Sequence, residues 1–222
     1  MKIFYYLSVQ LNYLSFFVYL FSNKLTEMKL SLNKDFWNNK YINSKTGWDV
    51  GEITKPLKEY FDQLENKKVK ILIPGCGNAH EAEYLFNNSF FSTYVLDFSE
   101  CALNNFIKRV PKFSKKQLLK NDFFDAQGKY DIIIEQTFFC AIDKNKRKDY
   151  FVKMHDLLNN GGKLVGLLFD GPLNEDHPPF GGTKQEYEKY LRPYFNIKVF
   201  ERSYNSIIPR KGRELFMILI KK

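Results

Sequence analysis

At 222 residues the chain has room for one domain of ordinary size with a sizeable core, and its 17% aromatic and 27% charged residues exclude a disordered chain. A formal charge of +9 raises a nucleic-acid or membrane-surface role. The lysines are nonetheless scattered in short groups such as Lys67-Lys68 and Lys115-Lys116 with acids between them, the pattern of a solvated surface rather than one binding stripe.

Residues 3–21 read IFYYLSVQLNYLSFFVYLF, nearly long enough to span a bilayer but interrupted by Ser8, Gln10, Asn12 and Ser15. No small-residue cleavage pattern follows, and Met28 directly precedes the globular pattern. Residues 1–27 are therefore expected to be an apolar extension, with a start at Met28 weighed against a membrane anchor, and residues 28–222 a single domain.

Residues 52–64 place Ile53, Leu57, Tyr60, Phe61 and Leu64 at helical spacing, with Pro56 in the tolerant first turns. Residues 69–73 form a short β-branched run that ends at Pro74-Gly75, which predicts a buried strand entering a sharp turn. The pattern then alternates: helix 79–86, strand 92–97, helix 99–109, strand 117–121, strand 130–135, helix 145–158, strand 163–169 and helix 183–191. Two closing strands, 197–202 and 214–220, are joined too closely for a crossover and are expected to pair antiparallel at one edge. The sum is an α/β fold with a mostly parallel seven-stranded sheet, helices on both faces and an antiparallel edge strand.

Ligands of such sheets bind beyond the carboxyl ends of the strands. The first strand runs into PGCGNAH, where Gly75 and Gly77 allow a tight turn and close approach of a ligand. A dinucleotide turn would want a third glycine where His80 stands, which favours a ligand without pyrophosphate. Asp97 ends the second strand, where a carboxylate can accept from both hydroxyls of a ribose or cap the next helix. Asp122-Phe123 after the third strand suit an adenine amino group and its ring, or simply a loop with a core phenylalanine. Gln136 ends the fourth. Cys76, Cys101 and Cys140 form neither a disulfide framework nor a C-x-x-C metal pattern, so a reducing, cytoplasmic setting and no metal are expected.

With these residues placed, the chain resembles the thiopurine S-methyltransferase family, most closely its thiol, thiocyanate and halide methyltransferase branch. The resemblance rests on FWNNKYINSKTGWDVGEITKP, ILIPGCGNAHE, VLDFSECAL, NDFFD, FFCAIDKNKRKDY, HPPF and SIIPRKGRE, and runs from Phe36 to about Lys221. It implies a Rossmann-like class I methyltransferase fold with S-adenosylmethionine as cofactor. Trp37, Tyr41 and Trp48 would wall the methionine end, Tyr41 standing where that branch often has tryptophan. The resemblance further implies Gly75 and Gly77 at the cofactor, Asp97 at its ribose, Asp122 and Phe123 at its adenine, and Gln136 at its methionine portion. Arg147 stands where the family has a substrate-side arginine, with Tyr204 and Arg210 in the matching late loop.

The activity so implied is transfer of the methyl group to a small soft nucleophile such as a thiol, thiocyanate, hydrosulfide or halide, and the expected protein is a monomer acting on a small molecule without nucleic acid. Competing readings are a thiopurine or reduced selenium, tellurium or arsenic acceptor, a nucleic-acid-binding module that uses the net charge, and an inactive cofactor-binding scaffold.

Overall fold

The computed structural model describes residues 31–222, so the expectation for residues 1–27 lies outside it. The body Leu32–Lys222 is organised by one seven-stranded sheet of order β3-β2-β1-β4-β5-β7-β6. Its strands are β1 (Ile71–Pro74), β2 (Thr93–Asp97), β3 (Leu118–Lys120), β4 (Tyr130–Gln136), β5 (Leu158–Phe169), β6 (Phe195–Arg202) and β7 (Glu214–Lys221). The first five pair in parallel, and β7 runs antiparallel to both β5 and β6. The closing pair thus lies at one edge as the short connection demanded, with the reversed strand β7 one place inside and β6 outermost.

Among the described residues six α-helices flank the strands: α1 (Lys34–Ile42), α2 (Lys55–Asp62), α3 (His80–Asn87), α4 (Glu100–Arg109), α5 (Arg147–Leu157) and α6 (Lys184–Leu191). Each sheet face carries its own apolar core. Ile71, Ile73, Val95, Ile132 and Ile134 pack with Leu57, Phe61, Leu85 and Phe106 on one side. Leu72, Ile133 and Leu164 pack with Tyr150, Phe151, Met154 and Tyr187 on the other. Burial on both faces explains why these strands are continuous apolar runs rather than alternating ones.

Helix α1 is the element the periodicity does not predict. Its sequence KDFWNNKYI has no fully buried residue, and it is started instead by Asn33, whose side chain accepts from the Phe36 amide at 2.9 Å. Helix α5 is shorter than expected because β5 already begins at Leu158, eight residues before Gly166. Strand order reverses direction between β1 and β4, and that switch point is where open α/β sheets have their ligand crevice.

Candidate active site

The turn after β1 is held in a conformation ordinary side chains avoid: Gly75 has φ +57° and Gly77 φ +53°. A Cβ at Gly75 would collide with the Phe138 ring, and one at Gly77 with the Tyr41 hydroxyl. The end of β2 completes this turn. Asp97 Oδ2 accepts from the Gly77 amide at 2.9 Å and Oδ1 from the Ser99 amide at 2.8 Å. Burial pushes the Asp97 carboxyl up to about 6, against the opposing pull of those amides. Each oxygen retains a second lone pair for a ligand hydroxyl.

The segment from α1 to Trp48 lies over this turn and is fastened at both ends. Asn38 Oδ1 accepts from Ser99 Oγ at 3.0 Å and from the Cys101 amide at 3.1 Å, at the start of α4. Asp49 accepts from Asn78 Nδ2 and the Gly51 amide and pairs with His80 Nε2 at 2.8 Å. His80, chiefly, holds the Asp49 carboxyl well below its usual range. Between the fasteners, Trp37 and Tyr41 meet Trp48 edge-on at 5.5 and 5.9 Å, and the Trp48 indole N–H donates to the Tyr41 hydroxyl. Burial raises the Tyr41 phenol far above its ordinary range, so it stays neutral.

At the end of β3, Asp122 accepts from the Phe124 amide at 2.8 Å, and Phe123 is buried with its ring 5.2 Å from Phe138. At the end of β4, Gln136 Oε1 lies 3.4 Å from Thr54 Oγ1, the N-cap of α2. Gly75, Gly77, Asp97, Phe123 and Tyr41 are thereby joined by direct contacts through Phe138 and the β1 turn, while Trp37 and Trp48 join them through Tyr41.

Residues 32–217 match the family profile of thiopurine S-methyltransferase. The chain belongs to the thiopurine S-methyltransferase family. It is a methyltransferase dependent on S-adenosylmethionine. Among its relatives are probable thiol methyltransferase 2 of Arabidopsis thaliana, 28% identical over 185 residues covering 80% of this chain and 81% of that one. Thiocyanate methyltransferase 1 of Brassica oleracea is 29% identical over 184 residues, with the same coverage. Among solved structures, the 1,6-didemethyltoxoflavin N1-methyltransferase of Burkholderia thailandensis, determined with S-adenosylhomocysteine, superposes with a TM-score of 0.71 at 14% identity, covering 86% of this chain and 88% of that one. Magnesium protoporphyrin IX methyltransferase of Synechocystis superposes at 0.66 and 12% identity, covering 88% and 100%. These likenesses show the fold.

In this family member the residues fit the cofactor: the glycine turn leaves a concave backbone, and Asp97 retains acceptor capacity beside it. Among the described residues, no group of three His, Cys, Asp or Glu side chains could hold a metal ion.

The residues expected on the acceptor side lie in different surroundings. Arg147 is 1% exposed, and its guanidinium is already engaged: Nη1 donates to Glu186 Oε1 at 2.6 Å and Nη2 to the Gly181 carbonyl at 2.6 Å, over the rings of Phe139 and Tyr187. Only its Nε lacks a partner. Its observed work is to pin the segment leading into α6. Tyr204 is 82% exposed and donates to Glu59 Oε2 at 2.6 Å, so it is a surface side chain.

Arg210, in contrast, is buried beside the site. Its Nη2 donates to the Trp48 carbonyl at 2.6 Å, and its Nη1 sits 3.7 Å from Glu214 Oε1 without a hydrogen bond. Gln136 Nε2 and the Tyr60 hydroxyl are also buried donors without partners. All three groups belong to one sheet face. Gln136, Leu167 and Phe216 are in register across β4, β5 and β7, the Tyr60 ring lies 6.4 Å from Phe216, and two residues on Arg210 covers Phe169 opposite Glu214. Tyr60 was legible only as a core position of an amphipathic helix, and no sequence signal marks its hydroxyl as unpaired.

Proposed function

We propose that this methyltransferase acts on a small, soft, anionic nucleophile of the thiolate, hydrosulfide, thiocyanate or halide kind. The observation that carries the reading is a set of buried donors on one face of the sheet that make no hydrogen bond, Arg210 Nη1, Gln136 Nε2 and Tyr60 OH, with the Arg210 guanidinium held between the Trp48 carbonyl and the Glu214 carboxylate. Buried donors that make no hydrogen bond cost free energy unless a ligand satisfies them, and one of these belongs to a guanidinium whose charge is shared with Glu214. The relatives named for thiol and thiocyanate chemistry support the same class.

Bound S-adenosylmethionine supplies an activated methyl group. Gly75 and Gly77 bring the backbone against it, Asp97 accepts from the ribose hydroxyls, Asp122 and Phe123 hold the adenine, and Trp37, Tyr41 and Trp48 cover the sulfonium end with aromatic faces suited to a cation. Gln136 stands at the methionine portion and offers its amide to the acceptor. Arg210 orients the anion for in-line approach and excludes the need for a general base, since the nucleophile arrives deprotonated. Orientation of this kind supplies as much as roughly 7–11 kcal/mol of a barrier. Residues 28–222 form the catalytic domain in this reading, working as a monomer on a small molecule.

The test is a headspace and product assay with the purified protein, S-adenosylmethionine and a panel of iodide, thiocyanate, hydrosulfide, small thiols, thiopurines and reduced selenium. Methylated product from the small anions is expected. Turnover confined to thiopurines or reduced selenium, with cofactor bound, would overturn the acceptor assignment.

A further inference from the structure

Glu135 precedes Gln136 and points to the opposite sheet face, where it is completely buried. The groups facing it are Tyr150 on α5, Cys140 on the following turn and the backbone of β5, and none carries a positive charge. A buried carboxylate without a cation needs hydrogen-bond donors to persist. Three are present: Oε1 accepts from the amides of Phe138 at 2.8 Å and Phe139 at 2.9 Å, and Oε2 accepts from the Tyr150 hydroxyl. The facing residue on β5 is Gly166, where a Cβ would run into the backbone and Cβ of Glu135.

The two captured amides belong to a turn that would not hold itself. Thr137 has φ +55°, a left-handed conformation that costs a β-branched residue of order 1–2 kcal/mol. Amides converging on one carboxylate oxygen make a backbone nest closed by an internal anion. Its product is the placement of Phe138. That ring packs directly against the Gly75 turn and meets Phe123, so it forms a wall between the loops after β1 and β3.

We infer that Glu135 is a positioning residue for S-adenosylmethionine: by holding the amides of Phe138 and Phe139 it sets the Phe138 ring against the Gly75 turn, and so shapes the cofactor's crevice without touching the cofactor. Its shortened variant acts only through that ring.

The test is calorimetric titration of the full chain with S-adenosylhomocysteine. Glu135→Asp is expected to weaken binding about tenfold, the order of losing well-made hydrogen bonds to a charge. Glu135→Gln keeps one oxygen for both amides and is expected to restore most of the affinity. Phe138→Ala weakens binding by itself, and adding Glu135→Asp to it is expected to cost nothing further, because coupled residues are not additive. Losses that multiply in the double variant, wild-type affinity in Glu135→Asp, or a Glu135→Gln protein as weak as Glu135→Asp would each overturn the assignment. Should Glu135→Asp fail to fold, Tyr150→Phe removes a single donor from the same carboxylate. A partial loss of affinity that vanishes in the Phe138→Ala background is then the expected result, and a loss that persists there overturns it.

Discussion

The two halves of the crevice treat their polar groups in opposite ways. On the β1–β3 side every acid is already satisfied: Asp97 by two amides, Asp49 by Asn78, His80 and Gly51, and Asp122 by Phe124. On the β4–β7 side Arg210 Nη1, Gln136 Nε2 and the Tyr60 hydroxyl make no hydrogen bond. In the proposed reading the cofactor meets a surface organised before it arrives, whereas the acceptor completes hydrogen bonds that the protein leaves open. Specificity for the acceptor therefore resides in which donors are left over, and small changes there can redirect it without disturbing the cofactor.

The strongest way to break this contrast is Arg210→Met. Acceptor kcat/KM should fall about 100-fold, the order expected when an anion loses a charged hydrogen-bond donor, with a much smaller change in cofactor affinity. Steady-state kinetics with the best anionic acceptor, beside calorimetry with cofactor, checks it. Next comes Asp97→Ala, for which cofactor affinity should drop at least tenfold, about the value of hydrogen bonds to a charged group. Unchanged affinity by calorimetry would remove Asp97 from the ribose.

Acidity sharpens the same point. Asp97 has its carboxyl raised to about 6 by burial, above the ordinary range, so the folded protein takes up a proton there as the pH falls. The sign for folding is that its burial cost is felt above that value and relieved below it. The sign for binding is the reverse, because the protonated carboxyl accepts less from ribose hydroxyls. Cofactor affinity should accordingly weaken as the pH drops through about 6, and Asp97→Asn should bind weakly at every pH.

Arg147→Ala separates packing from catalysis. Glu186 is partly exposed, which keeps the ion pair's share small, but loss of the donor to the Gly181 carbonyl should destabilise the fold by about 2 kcal/mol. A lowered melting temperature is expected, with per-molecule cofactor affinity retained. The smallest effect is expected from Tyr204→Phe. Its contact to Glu59 is fully exposed and screened by solvent, so turnover should stay within a factor of about two.

The sheet was legible because its strands are short apolar runs between turn residues, and the glycines and Asp97 were legible because backbone geometry dictates residue type there. Helix α1 was not, since WNNKY carries no apolar stripe and the helix is fastened by Asn33 and Asn38 rather than by burial. The family resemblance identified the cofactor and put Arg147 forward on the acceptor side, with Tyr204 and Arg210 only in the late loop. What holds Arg147 depends on Glu186 and Gly181, distant in sequence and outside any local pattern, as what holds Arg210 depends on the Trp48 carbonyl and Glu214.

The bond from Arg210 to the Trp48 carbonyl has a kinetic consequence. In the proposed reading the aromatic segment that covers the cofactor's sulfonium end is the same one whose Trp48 carbonyl holds Arg210. Lifting it dismantles the acceptor's anchor, so an ordered sequence is expected, with S-adenosylmethionine entering first and the methylated product departing before S-adenosylhomocysteine. Product-inhibition patterns reveal that order directly, and random entry would mean that Arg210 holds its place with the segment raised.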